Sequence, residues 1–582
     1  MLQDCIEVFE KQLKVSKDKL IIDNYIPADG TYIIVSLIDG EFSIKEFFNI
    51  KYDKKLDNLE GRANIYFEDV CNYDYNSKLI DMNKPIDRKK IIHSNNYLSF
   101  FIKKESLSNG KLTQDIIDNY YKILSNPYLK YDKPKAKEIY KYIESDLEDI
   151  DQDLLNKIKE WIKLNIFNLE KLGIKIIGKD YLKVFFDLPI EKYQNEGRRY
   201  LIPNIYNSND FNEKFEGTLY GLPNDNINLN AKKPYLENKT RKVKVPYLVD
   251  EKQVLLQKKF FDYLMVQCSK GNVNIYIDKD KVRSYKNGEM PDSDFNGMYM
   301  RIKKGKEVEI HSYDIVTSYK FKLDKPFKFL NVLELSEKVA LDENYGVYND
   351  KKMFQEIINN TLFSKYLVNN YYTEPKDISI KDNIIKRNLL ISRDSIFNFL
   401  YKGNQNGLGS ILNKVSLDLI KNCINNGYIT KASHQYNLKC SLENYFKGGN
   451  NMGDILHEVK SSLREKINSE DTKSFSSDKE YYFAVGQFIN YLLSKSKGKN
   501  KPHSLVNPFI NAKSNTVIKD KLRNLYKRYN YDIDMYNKRV KNIYAMIVSY
   551  EPETKVDQDM IIAGYLHNNL IYESNKGETK YE

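Results

Sequence analysis

The chain has 582 residues, 41% of them hydrophobic, and a formal net charge of +12. That length supports roughly three or four domains with real cores, and no apolar run reaches the ~18 residues that a membrane-spanning helix needs. The five cysteines, Cys5, Cys71, Cys268, Cys423 and Cys440, are scattered and form no CxxC pair, which argues against a disulfide framework or zinc finger and for a reducing, cytoplasmic setting.

The opening "MLQDCIEVFEKQLKV" reads as an amphipathic helix of mixed charge without the basic head and apolar core of a signal peptide. "TYIIVSLIDGEFSIKEFFNI" (31–50) reads as two strands around a turn at Asp39-Gly40. "QDLLNKIKEWIKLNIFNLEKLG" (152–173) has apolar residues at helical spacing, with Gly173 as its stop. "GNVNIYI" (271–277) and "GMYMRIKKGKEVEIHSYDIV" (297–316) are further strands, the second a hairpin turning at Lys304-Gly305.

After about residue 350 the strand signals stop. "MFQEIINNTLFSKYLVNNYY", "IIKRNLLISRDSIFNFLY" and "GSILNKVSLDLIKNCINNG" are successive amphipathic helices. A break follows at "FKGGNNMGD" (446–454). A second helical group opens on a capping box, Ser477 with Glu480. The expected fold class is an α+β N-terminal region followed by an all-α helical-bundle C-terminal region. The expected domains are 1–345, a helical connection over 346–450, and a bundle over 452–582.

No catalytic constellation stands out. The six histidines form no HExxH or other metal spacing, and there is no phosphate-binding GxxxxGK[ST] and no GxSxG. "GNQNGLGS" (403–410) follows a helix, so it reads as a helix–helix turn. Asp292, Asp294 and Lys303 form a weak acidic, nuclease-like cluster, and His503 reads as a loop histidine. The expectation is a protein that is not an enzyme, with no metal and no cofactor. The alternatives are a nuclease or restriction-type enzyme using that acidic cluster, and a stand-alone binder of single-stranded nucleic acid.

The positive charge is concentrated. Residues 495–541 hold 13 Lys/Arg against 3 Asp/Glu, and residues 232–244 hold 6 against 1. Localised excess is the electrostatic footprint of phosphate binding. In the first segment, Lys495, Lys497, Lys499 and Lys501 alternate through a loop. On the helix that follows (515–530), Ile518, Leu522, Leu525 and Tyr529 share one face, Lys519, Arg523 and Lys527 line one flank, and Lys521 and Arg528 the other. Lys538, Arg539 and Lys541 extend the set. Like charges four residues apart cost a few tenths of a kcal/mol per pair, which a polyanion would reverse. The second segment, "GLPNDNINLNAKKPYLENKTRKVKVP" (221–246), is a loop rich in Asn, Gly and Pro. Asn226, Asn228 and Asn230 can face base edges, and Lys232, Lys233, Lys239, Arg241 and Lys242 can hold phosphates. The 47 tyrosines carry nothing by number, since Lys, Asn, Ile and Tyr share AT-rich codons.

"NKPIDRKKIIHSNNYLSFFIKK" (83–104), "RRYLIPNIYNSNDF…GLPNDNINLNAKKPYLENKTRK" (198–242) and "YYFAVGQFINYLL…YEPETKVDQDMIIAGYLHNNLIYE" (481–573) resemble the large subunit of type I-B CRISPR Cascade, in order along the chain. The resemblance implies a non-catalytic subunit of an RNA-guided antiviral complex. Such a subunit senses the protospacer-adjacent motif in target duplex DNA, aids R-loop formation, supports the displaced single strand and helps recruit a helicase-nuclease. Its implied partners are the guide RNA complex, the backbone subunits, the subunit capping the guide 5′ end, and small subunits. The 221–246 loop becomes the motif-sensing element and the C-terminal basic residues a groove for the displaced strand. Gly448-Gly449 can be encoded by the purine-rich GGAGG, a ribosome-binding sequence that would lie the two codons of Asn450 and Asn451 before Met452, from which an internally translated 452–582 small subunit would start.

Overall fold

The structure is a computed structural model. It describes residues 2–53, 56, 58–78, 85–206, 209–223, 247–305, 308–448, 452–471, 473–498, 503–534 and 536–573. The chain divides into two units, residues 1–286 with 297–315, and residues 287–296 with 316–582.

The first unit is α+β. Its larger sheet runs in the order β3-β2-β1-β5-β4, from β1 (Gly30–Ile38), β2 (Glu41–Asp53), β3 (Asn58–Glu60), β4 (Ser99–Lys103) and β5 (Tyr181–Phe186). β1 is central, and its first six residues are buried, as a strand enclosed on both sides requires. It turns into β2 at Asp39 (φ 52°) and Gly40 (φ 86°), a left-handed pair that matches the twist of a hairpin. β5 lies parallel to β1, and the long crossover between them carries the helices Phe67–Ser77, Gln114–Ser125, Pro134–Glu144 and Gln152–Asn165. Beside this sheet, the buried carboxylate of Asp74 pairs with Lys183 and accepts from the Tyr25 hydroxyl at 2.6 Å. The Lys183 ammonium sits 4.6 Å from the centre of the Phe101 ring.

After the two-stranded β6 (Glu213–Phe215) and β7 (Thr218–Tyr220), β8 (Asn272–Ile277), β9 (Val282–Lys286), β10 (Phe295–Lys304) and β11 (Val308–Tyr319) form a sheet in the order β11-β10-β8-β9. The neighbouring β10 and β11 flank the expected turn at Lys304-Gly305. Ile275, Ile277, Met300 and Ile302 pack with Phe9 and Phe260 of the helices Leu2–Ser16 and Glu251–Ser269.

The second unit contains an antiparallel pair, β12 (Lys322–Phe329) and β13 (Gly346–Asp350), and is helical after β13. The helices Asn383–Lys402, Leu408–Asn425 and Ile429–Lys447 precede the break, and Met452–Asn468 opens the next group. One apolar core joins Ile420, Tyr436 and Cys440 to Leu463, Phe488 and Ile561, across Met452. At its centre the helices Asp478–Ser494 and Gln558–Leu566 cross at glycines. A Cβ on Gly486 would lie 2.2 Å from the Ile561 carbonyl oxygen, and one on Gly564 would lie 2.0 Å from that of Phe483, so only hydrogen permits this approach. All five cysteines are buried and unpaired.

Three local expectations need correction. The helix starting at Gln152 stops at Asn165, where the Asn165 and Asn168 amides donate to the carbonyls of Trp161 and Leu164; Gly173 (φ 79°) ends a separate 3-10 turn, Leu169–Leu172. Side-chain amides that satisfy terminal carbonyls let a helix end early. The segment 353–372 is no single helix: Lys351–Ile357 runs into a π turn, Ile358–Leu362, and Ser364 and Lys365 adopt positive φ. The capping box is half formed. The Ser477 hydroxyl accepts from the Glu480 amide at 3.3 Å, but the Glu480 carboxylate takes the Ser476 amide at 2.6 Å and Lys466 at 2.7 Å.

Candidate nucleic-acid interface

The helix Asn515–Tyr529 buries Ile518, Leu522, Leu525 and Tyr529, the i, i+4, i+7, i+11 stripe of an amphipathic helix on a core. The two flanks outside this stripe carry Lys521, Arg523, Lys527 and Arg528, all exposed. Among the described residues Lys521, Lys527 and Arg528 have no ion-pair partner, and Arg523 has Asp520 at 3.5 Å. Lys519 leaves this row. Its ammonium donates to the Val548 carbonyl at 3.0 Å and to Glu551 at 2.6 Å, and its side chain is only 12% exposed.

The turn after this helix and the start of the lysine-rich loop meet through aromatic rings. Lys495 lies 4.9 Å from the ring centre of Tyr491 and 5.6 Å from that of Tyr572. Lys497 lies 4.9 Å from the ring of Tyr531, whose hydroxyl donates to the Lys495 carbonyl at 3.5 Å. Lys541 stands 5.8 Å from the ring of Tyr536, which is 93% exposed. Lys538 faces Glu470 at 3.5 Å, both exposed, a pairing of little worth in water. Arg539 is built into the fold, donating to Asn468 at 2.7 Å and to the carbonyls of Leu570, Ile571 and Glu573.

The outcome is a surface of cations interleaved with tyrosine faces. Lysines and arginines hold phosphates, exposed rings stack bases, and neither needs a particular sequence. Tyr531, Tyr536 and Tyr572 were not foreseen as site residues; the alternation of Tyr with Lys and Arg in "LYKRYNYDIDMYNKRVKNIY" (525–544) is the signal that marks the first two, and no local pattern marks Tyr572.

The chain, compared with protein-family models, curated proteins and solved structures, matches none.

The remaining sequence candidates fall elsewhere. Lys499 and Lys501, and the whole set Asn226, Asn228, Asn230, Lys232, Lys233, Lys239, Arg241 and Lys242, lie outside the described residues. The chain on either side of that loop is pinned: Gly221 and Val249 exchange two backbone hydrogen bonds of 3.0 Å, and Tyr206 bridges to Pro223. Asp292 and Asp294 are exposed, and Asp294 accepts the Phe321 amide at 3.0 Å. Lys303 belongs to the other unit. Among the described residues no three His, Cys, Asp or Glu side chains are grouped to hold a metal. His503 meets the Tyr565 hydroxyl at 2.6 Å through Nδ1. Among the described residues no helix is long and apolar enough to cross a membrane.

Proposed function

We propose that this chain is the non-catalytic large subunit of a type I-B CRISPR effector complex. In that role it senses the motif beside the target in duplex DNA, aids strand separation, holds the displaced strand and helps recruit a helicase-nuclease. The observation that carries the reading is the set of exposed cations Lys521, Lys527 and Arg528, which among the described residues have no ion-pair partner, together with the lysine–tyrosine contacts of Lys497 with Tyr531 and of Lys541 with the exposed ring of Tyr536. Such a surface suits a single strand, whose bases are free to stack, better than a closed duplex. The three ordered blocks of sequence resemblance supply the RNA-guided setting. A small subunit made separately from 452–582 would uncover the surface that Tyr436 and Lys439 cover here, where Tyr436 donates to the Asp559 carbonyl and Lys439 pairs with Asp559 at 2.7 Å; that surface needs a cover in the assembly.

The test is single-strand binding by the full chain across a salt series. Changing Lys521, Lys527 and Arg528 together to Glu should weaken binding and flatten its salt slope by about 2, at ~0.7 for each phosphate no longer neutralised. Tyr536→Ala should weaken it by about 1–3 kcal/mol. Unchanged affinity and slope in both variants would overturn the assignment of this face.

A further inference from the structure

A cavity of about 880 Å³ lies wholly within the first unit, lined from the helices Leu2–Ser16, Lys19–Ile22, Phe67–Ser77, Ile190–Ile205 and Glu251–Ser269. Its volume is within the range of small-molecule sites. Leu13, Ile22, Leu201 and Leu255 give it an apolar floor. Its rim is cationic, and all of the lining cations but Lys78 divide into two sets. Lys258, Lys259 and Arg198 are committed to Asp262, Asp18 and Glu251. Lys17, Lys19 and Lys252 are exposed and, among the described residues, have no carboxylate within ion-pair distance. Lys78 meets the Tyr25 hydroxyl and lies 4.4 Å from the centre of its ring.

Two further observations point to a ligand. The Arg198 Nε is shielded from solvent and has no hydrogen-bond partner, an arrangement whose cost an incoming acceptor would remove. The lining carboxylates without an ion-pair partner are Glu68 and Glu191, fewer than the uncommitted ammonium groups. An excess of unpaired cations around a concave apolar floor focuses a positive potential into a low-dielectric space. A duplex cannot enter a space of this size. A single nucleotide unit can, with its base on the floor and its phosphates at the rim.

We infer that this cavity binds a phosphate-bearing nucleotide unit, with its phosphates among Lys17, Lys19 and Lys252 and its base against Leu13, Ile22, Leu201 and Leu255. The inference deepens the nucleic-acid reading above and rests on it for the class of ligand. The unit can belong to a single strand or be a free nucleotide, and the chemistry of recognition is the same.

Photo-crosslinking of the full chain tests it, with 8-azido-ATP as the free-nucleotide probe and a 5-iodouracil-substituted single strand as the other. Labelled peptides are identified by mass spectrometry. At least one probe should label peptides from Leu2–Ser16, Phe67–Ser77, Ile190–Ile205 or Glu251–Ser269, and which probe does so names the source. The K17E/K19E/K252E variant, all exposed positions, should lose that label by about tenfold or more with an unchanged circular-dichroism melt. The K521E/K527E/R528E variant should keep it. Absence of label from these peptides with both probes, or equal label in K17E/K19E/K252E, overturns the inference. Label on Asn515–Tyr529 is read in the same experiment, so failure of the C-terminal face registers separately.

Discussion

The crossing of Asp478–Ser494 with Gln558–Leu566 makes Gly564→Ala a sharp probe of the second unit. The added Cβ would lie 2.0 Å from the Phe483 carbonyl oxygen, whereas ordinary contact begins at 3.4 Å. The neighbour is backbone, so the helices must part by about 1.4 Å, the difference between those distances. A gap of ~0.5–1 Å already forfeits a quarter to a half of each dispersion contact along the seam, and overpacking of this kind costs about 1–3 kcal/mol or more. Parting also breaks the bond from the Gln487 amide to the Gly564 carbonyl, 2.5 Å long, worth about 1 kcal/mol. Alanine recovers about 1 kcal/mol of helix propensity. The net loss is about 1–3 kcal/mol, or on the order of 2–6 °C in the melting of a unit this large. Gly486→Ala meets the same seam from the other helix, so the double variant should lose less than the sum of the singles. Calorimetry and far-ultraviolet circular dichroism read these shifts. A Gly564→Ala transition that is unchanged or raised would refute the close-crossing reasoning.

Three further outcomes are expected. Lys519→Ala should leave the salt slope of single-strand binding unchanged, because Glu551 already holds that ammonium, whereas Lys527→Ala should lower it by ~0.7; anisotropy titrations separate the two. Burial pushes the Asp74 carboxyl up, but Lys183 and Lys78 and the hydrogen bonds from Lys183 and Tyr25 outweigh it and hold the group below its usual value. Its stabilisation is therefore present above the unfolded value of about 3.9 and lost as pH falls through the lower folded one, and Asp74→Asn should cost about 3–5 kcal/mol at neutral pH and flatten the acid limb of the stability curve. Burial pulls Lys351 down to about 8 despite Asp324 and Asp294, with its ammonium 4.3 Å from the ring centre of Tyr319. The unfolded chain then binds the extra proton between about pH 8 and 10.4, so stability should rise across that window, and Lys351→Met should abolish the rise and stabilise the fold by about 1–3 kcal/mol at neutral pH.

The architecture was legible where local signals suffice. The Asp39-Gly40 turn places β1 against β2, and helical periodicity marks Asn515–Tyr529 with its buried stripe. The parallel pairing of β1 with β5 was not, because Gly30 and Tyr181 are joined by a long crossover that no short window contains. The same limit governs the site. The lysines announced themselves by density, but the partner that removes Lys519 from the open row, Glu551, lies on a later segment. Tyrosine abundance carried no position; only the fold puts Tyr531 and Tyr572 beside Lys497 and Lys495. The cavity rim joins Lys17, Lys19 and Lys252, which no sequence pattern links.

The most direct test of the central claim is duplex-target binding by the guide-RNA complex assembled with and without this chain, with the bases flanking the target varied. Binding should require the chain, change with the flanking bases, and become less salt-dependent when Lys521, Lys527 and Arg528 become Glu. Target binding that is equal without the chain, or indifferent to the flanking bases, would contradict it.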